Sequence, residues 1–475
     1  MSRRQYGLLI IQLLFLAAAI AFIMQKARKK NGIFIFTLLT AFLLRLFYIL
    51  YTPTWERQHD VVGFGNAKGI GQAALIEWLY QNRRLPDFDP RSRWGFFQPL
   101  LHHFLAALWL GFNQLLHFSY TQSCENIQFL TLCYSICFTI YAIRIFKEMG
   151  LSGGGLTLAT AITALHPSFI LMSGSVNNDM LTHTLSAMAI FYGLRWYRNE
   201  GTGNIIKCAL SIGLAMMAKL SGVLVAPAIA FLFLFKLVKG GREKLPHYIK
   251  EYAIFAFISL PLGLFFPLRN YFLFKVPLMY MPHVGEPVGQ YSLFERIFDI
   301  RTDTPFTHLI ANGNKYDEFN VPLALMKTSL LGEYDYSIKN GYMMPFCWIL
   351  LISGTLLALL ALLATVRYTF MGCRTENAAL RPAKRTAFIP DAALRAFWGI
   401  IYLAAMFFYL RLAFSVPNFS SSDFRYIAYL IVPEAMFLGF LYEELPKKGL
   451  KYILSALTGL FCLSSAGTYF LLGLP

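Results

Sequence analysis

Apolar runs separated by short polar or basic breaks recur along the whole chain. They fall at 7–24, 33–51, 126–147, 151–172, 180–197, 205–219, 222–238, 251–271, 342–366, 395–414, 426–442 and 450–471. Most approach the ~20 residues a helix needs to cross hydrocarbon, whereas a membrane barrel would show alternating segments of ~10 residues. The pattern predicts an all-α, polytopic membrane bundle of about 12 spans. Basic residues concentrate in some breaks: 26–30, Arg144 with Lys147, Arg195 with Arg198, 236–244, 367–385, and Lys447-Lys448. By the positive-inside rule these mark the cytoplasmic side.

The stretch 100–118 is also apolar. Counting it as a span would move Arg144 and Lys147 to the other side and place His102, His103, Asn113 and His117 in lipid, where polar groups are costly. It is therefore predicted to lie at, or dip into, the outer surface. One long outer loop, 52–125, then carries juxtamembrane helices, and 272–341 forms a second. The segments 173–179 and 415–425 open on the same side. Two short apolar stretches around Lys219 predict a broken hairpin whose tip reaches that surface. Both termini come out external, against which the Arg3-Arg4 pair argues weakly. No repeat is visible, and residues 1–475 read as one membrane domain.

Composition agrees. The chain is 57% hydrophobic and 14% charged, against about 25% charged in soluble domains. Its net charge of +17 is explained by the basic loops, and no nucleic-acid module accompanies it. The seven Cys are scattered and form neither a disulfide framework nor a zinc pattern. The run 7–24 is long for a signal-peptide core and is followed at once by another span.

Polar residues that topology does not explain gather on the outer side. Asp60 follows the 33–51 span in Trp55-Glu56-Arg57-Gln58-His59-Asp60. It is either a solvated helix flank or a carboxylate beside a low-dielectric wall, tuned to take a proton from a hydroxyl. If this segment is helical, Glu56 and Asp60 share a face at i,i+4, where they share a proton, hold a cation or are simply solvated. Gln98-Pro99-Leu100-Leu101-His102-His103 opens the surface helix with Pro in its first turn. The adjacent His point apart and read as interfacial rings rather than a chelating pair. Asn177, Asn178 or Asp179 can cap the next span, but three such residues in a row suit a polyhydroxylated ligand. Lys219, Arg269 (with Asn270) and Arg425 (with Tyr426) are cations on the side where topology disfavours them. They either snorkel or answer an anion such as a phosphate.

These motifs, in this order, resemble the GT-C superfamily of membrane glycosyltransferases, in the style of the protein O-mannosyltransferase and aminoarabinose transferase branch. The matching residues are His59-Asp60, Gln98-Pro99-Leu100, Ser175 through Asp179, Lys219-Leu220-Ser221-Gly222, Arg269-Asn270 and Arg425-Tyr426. The resemblance spans 33–275, with a weaker match near 425. It departs from the family where His59 precedes Asp60, where Val61 follows it, and where Leu100 replaces a second Pro.

The resemblance implies inverting transfer of a single sugar from a polyprenyl-phosphate carrier to an envelope acceptor. The reaction would occur at the outward face of an integral membrane protein, in a bacterial cytoplasmic membrane. Asp60, His59 and Asp179 would be catalytic, with Asp60 as base. Lys219, Arg269 and Arg425 would hold the donor phosphate. Glu56, Gln98, His102, Asn177, Asn178, Asn270 and Tyr426 would meet sugar or acceptor. No cofactor is implied. No acidic cluster calls for a divalent metal, so metal-independent chemistry is expected, and nucleic acid is not a partner. The competing readings are a secondary transporter or lipid flippase, another envelope polymerase or ligase, and a noncatalytic scaffold.

Overall fold

A computed structural model describes residues 18, 32–56, 60–278, 280–282, 290–299, 318–333, 342–371, 391–416 and 418–472. The expected span 7–24, the basic cluster 26–30 and His59 lie outside the described residues. Within them every regular element is helical. In chain order these are α1 (Gly32–Tyr51), α2 (Gln72–Asn82), α3 (Leu101–Leu115), α4 (Tyr120–Glu125), α5 (Ile127–Glu148), α6 (Gly153–Ala164), α7 (Pro167–Ser173), α8 (Asp179–Arg198) and α9 (Thr202–Ala218). Then follow α10 (Ala226–Lys239), α11 (Gly241–Phe274), α12 (Leu293–Phe298), α13 (Val321–Leu331), α14 (Met343–Val366), α15 (Ala392–Ser415), α16 (Ile431–Glu444) and α17 (Lys448–Leu471).

Among the described residues, 7 helices are long and apolar enough to cross a membrane, or 8 if the bent pair α6–α7 is one span. The chain is an integral membrane protein. The expected count of about 12 also included 7–24, α8, α9 and the segment ending in α16. Helix α9 is 17 residues long and α16 only 14. Helix α8 has the length but not the apolarity, because it is enclosed by protein on nearly every side from Asp179 to Tyr197. A helix with little surface facing lipid has no need of uniform hydrophobicity, so hydropathy understates it.

The break between α6 and α7 bends the chain by 49°, and its cause is local. Pro167 has no N–H to donate back into α6. The amide of Ser168 turns instead to His166 Nδ1 at 3.3 Å. The amide of Phe169 likewise turns to His166 O at 3.1 Å, so the Ala164 and Leu165 carbonyls lose their helical donors and, in a buried setting, must find other partners within the protein. Arg45 of α1 donates to Ala164 O at 2.6 Å, and Ser465 Oγ of α17 donates to Leu165 O at 2.7 Å. Arg45 also donates to Ser135 Oγ at 2.8 Å, so one buried guanidinium joins α1, α5 and the kink. Arg45→Leu is expected to leave these acceptors unmatched and to lower stability by about 1–3 kcal/mol. This would be read as a lower melting temperature in detergent; an unchanged one would show that the kink is satisfied without Arg45.

Helices α2 and α3 pair beside the spans over a small core that includes Val61, Leu75, Ile76, Phe96, Leu100 and Leu110, together with Val176 and Phe266 from the bundle. The opposite stripe of α3 exposes Phe104, Leu108, Phe112 and Leu115. An apolar stripe of that kind suits a helix lying in a membrane surface.

Candidate active site

The chain that carries Asp60 is fixed by the start of α2. A helix N-terminus has amides without intrahelical partners. Here Gln72 N donates to Asp60 O at 3.4 Å and Ala73 N to Val61 O at 3.2 Å. Gly71, just before the helix, donates to Trp94 O at 2.7 Å. Its φ is +94°, and a Cβ there would meet Val61 O at 2.5 Å. On the crossing strand of chain, a Cβ at Gly95 would meet the Gly71 carbonyl carbon at 2.6 Å. Asp60 itself has φ +55°, which Asp adopts more readily than most residues, and Val62 has φ +65°, which a β-branched residue adopts only when its surroundings enforce it. Residues 54–56 form a turn, and residues 57–59, which separate Glu56 from Asp60, lie outside the described residues.

Gly71→Ala is expected to cost about 1–3 kcal/mol through backbone strain. By moving the Asp60 carboxylate it should also lower any turnover that depends on it by about a hundredfold. Paired activity and melting measurements check this; a wild-type rate would separate Gly71 from the placement of Asp60.

From this loop Asp60 Oδ2 accepts a hydrogen bond from Arg425 Nη2 at 2.7 Å; the Arg425 side chain is 5% exposed and that of Asp60 43%. Arg425 Nη1 lies 3.9 Å from Asp179 Oδ2, and its Nε lies 3.4 Å from Asp423 Oδ2. Asp179 in turn pairs with Lys219. The Lys219 ammonium lies 4.9 Å from the Tyr426 ring centroid, and the Arg425 guanidinium 5.2 Å from it. Three carboxylates and two cations thus form one continuous chain at a rim of the bundle.

Each member is held from behind. Arg425 sits in a 3-10 turn, Phe424–Tyr426, capped by Asp423, whose Oδ1 accepts from Arg425 N at 2.8 Å. Phe424 N donates to Thr328 Oγ1 of α13 at 2.9 Å, Tyr409 of α15 donates to Ser422 O at 2.8 Å, and His183 Nε2 of α8 donates to Arg425 O at 2.8 Å. Burial works against the Arg425 charge, but Asp60, then Tyr426 and Asp423, hold its pKa well above the usual value. Burial also pushes the Tyr426 phenol up.

Lys219 lies in the extended residue between α9 and the 3-10 turn Leu220–Val225, at the tip of the expected broken hairpin. Asn178 ties that tip to its neighbours, donating to Ala218 O at 2.8 Å and to Gln98 Oε1 at 3.3 Å. Asn178 occupies the cap position of α8 without capping it through its side chain. Asn177 Oδ1 instead accepts from Asp179 N at 3.1 Å.

One expectation is corrected, and one expected residue stands apart from the others. His102 and His103 are not interfacial rings: both are fully buried on the inner stripe of α3. His102 Nε2 donates to Val176 O at 3.3 Å, bracing the 173–179 segment from below. Burial pushes the two rings down, to about 4 for His102 and about 3 for His103, so both are neutral near pH 7. Arg269 is not drawn into the charge chain. It donates to Pro86 O and, at 3.1 Å, to Asn270 Oδ1, fastening the end of α11 to the loop after α2. Among the described residues, no hydrogen bond or ion pair joins it to Asp60, Asp179, Lys219 or Arg425.

Two members went unassigned in the sequence. Asp423 had a local signal, an acid two residues before Arg425 in a capping arrangement. His183 stands one helical turn after Asp179 and reads as a lone core histidine; its partner lies 242 residues away.

No family model and no curated protein matches the chain. Among solved structures it is similar to the oligosaccharyltransferase of Archaeoglobus fulgidus in its apo form, at 13% identity and a TM-score of 0.49 over 93% of this chain and 55% of that one. It is also similar to ArnT from Cupriavidus metallidurans bound to undecaprenyl phosphate, at 12% identity and a TM-score of 0.38 over 92% and 78%. The chain spans about half the length of the oligosaccharyltransferase chains it matches. Likeness at this level leaves function to be argued from the site.

Proposed function

We propose that the chain is an inverting glycosyltransferase of the GT-C type, moving one sugar from a polyprenyl-phosphate carrier to an envelope acceptor at the extracytoplasmic face. One observation carries the reading. Asp60, Asp179, Lys219 and Arg425, from four segments far apart in sequence, form a single charge chain at the rim. A carrier of this kind keeps its tail among the helices and its phosphodiester at the surface, level with such a rim.

In this reading the donor phosphate competes for Arg425 and Lys219. When it takes the Arg425 fork it releases Asp60, the most exposed of the three carboxylates, toward the acceptor. The acceptor oxygen attacks the anomeric carbon from the face opposite the phosphate, and its proton passes to Asp60. The bond from the anomeric carbon to the phosphate oxygen breaks, and the electron pair leaves with the carrier phosphate. That group gains one negative charge, which Arg425 and Lys219 are already oriented to stabilise. Gln98, Asn178 and the Tyr426 ring lie beside this chain and would meet the sugar. Asn177, His102 and Asn270 would act by holding backbone or neighbours, and Arg269 would join the phosphate only by leaving the Pro86 carbonyl.

The test is incubation of the reconstituted protein with a panel of polyprenyl-phosphate sugars and an envelope extract as acceptor source. Release of free carrier phosphate with one of the sugars is expected. Movement of a solute across the vesicle without any such release would favour a carrier protein instead.

A further inference from the structure

At the end of the bundle away from the rim, the last turns of α5 and α8 and the first turns of α9 surround an open cavity of about 490 Å³. Arg144, Lys147, Arg195 and Lys207 line it. The positive-inside rule accounts for cations at this end but not for their convergence on one concavity. It also leaves unexplained their lack of neutralisation. None of the four has a carboxylate partner among the described residues, and Glu148, the acid on the same wall, is engaged by Arg198 at 3.3 Å. Three of them are steadied on aromatic faces. Arg144 lies 5.0 Å from the Tyr141 ring, Arg195 5.8 Å from Phe191, and Lys207 5.5 Å from Tyr192. The cavity opens at the end of α5, whose stretch with α4, Tyr120–Glu148, is long and apolar enough to cross a membrane, and the end of such a span meets the headgroup region.

We propose that this cavity binds the phosphate-bearing headgroup of an anionic phospholipid of the cytoplasmic leaflet. Guanidinium forks and ammonium groups on the walls suit phosphate oxygens, and basic pockets between helices on this side recognise such headgroups. The site is independent of the reaction proposed at the rim.

The test uses the full chain in nanodiscs of phosphatidylcholine with and without phosphatidylglycerol, followed by mass spectrometry of the lipid retained after detergent release. The wild type is expected to retain phosphatidylglycerol. A triple variant, Arg144→Gln, Arg195→Gln and Lys207→Gln, should bind it on the order of a hundredfold more weakly. A charge-matched control at the same end, Lys447→Gln, Lys448→Gln and Lys451→Gln, should retain it as the wild type does. Equal loss in both triple variants would reduce the effect to diffuse charge and overturn the site. Unchanged retention in the first variant would overturn it as well. Displacement by millimolar inorganic phosphate, with no preference between the two nanodiscs, would assign the cavity to a soluble phosphate and overturn the lipid reading.

Discussion

Asp60→Asn is expected to reduce sugar transfer by about 10²–10⁴-fold, the usual contribution of a positioned general base, while leaving the melting temperature nearly unchanged. The two halves of this prediction have different causes. The Asp60 carboxylate is 43% exposed, so its own loss is compensated by water, and the buried Arg425 keeps Asp179 and Asp423 as counter-charges. Asn keeps the shape, can still accept from Arg425 through its amide oxygen, and tolerates the left-handed backbone at φ +55° better than most residues. What it cannot do is take a proton. An acceptor with a more acidic hydroxyl should therefore recover part of the lost rate, which a merely misplaced loop would not allow. Activity within a few-fold of wild type, in protein that melts normally, would remove Asp60 from the base role.

Legibility in the sequence followed the range of the interaction. Helices α1, α14, α15 and α17 sit where the apolar runs predicted them, because each turns part of its surface outward and carries its own signal. The Lys219 hairpin was legible for the same reason, since a lone cation between two short apolar stretches is a local feature. Helix α8 was legible as an element but not as an enclosed one. Its His183 and Thr184 meet Arg425 O and Tyr134 O, partners that no window of sequence contains. The break at Pro167 fell inside the expected single span 151–172, and nothing local announced that Arg45, 119 residues from Ala164, would satisfy it. The charge chain lay at the far limit. Asp60 and Arg425 are 365 residues apart, and only the ordered resemblance of their flanking motifs set them in one site. Arg269 shows the weakness of that route, because motif order does not say which carbonyl a guanidinium will take. His102 shows the corresponding weakness of composition, since a polar ring in an apolar helix fits a membrane surface and a buried stripe equally well.

Arg425 is expected to be the residue whose replacement does most damage, and in two separable ways. Its guanidinium faces Asp60, Asp179 and Asp423 from inside the protein, and the last two are each only 4% exposed. Arg425→Met removes the shared cation and leaves buried carboxylates with Lys219 as their nearest compensation. Breaking a buried pair in this way costs about 3–5 kcal/mol, so little folded protein is expected. Arg425→Lys retains a positive charge, so most of the fold should survive. Yet an ammonium presents one point of charge and not a planar fork, and cannot receive the incoming phosphate in the geometry that Arg425 offers once it has released Asp60. Its kcat is expected to fall by about 10²–10³-fold, the scale of losing one preorganised donor at a developing anion. Because that charge grows only as the carrier phosphate departs, kcat and kcat/KM should fall together. A rise in KM alone would mean that Arg425 holds the donor before reaction but contributes nothing as the bond breaks. A fully folded and active Arg425→Met protein would show that the rim does not depend on this cation at all.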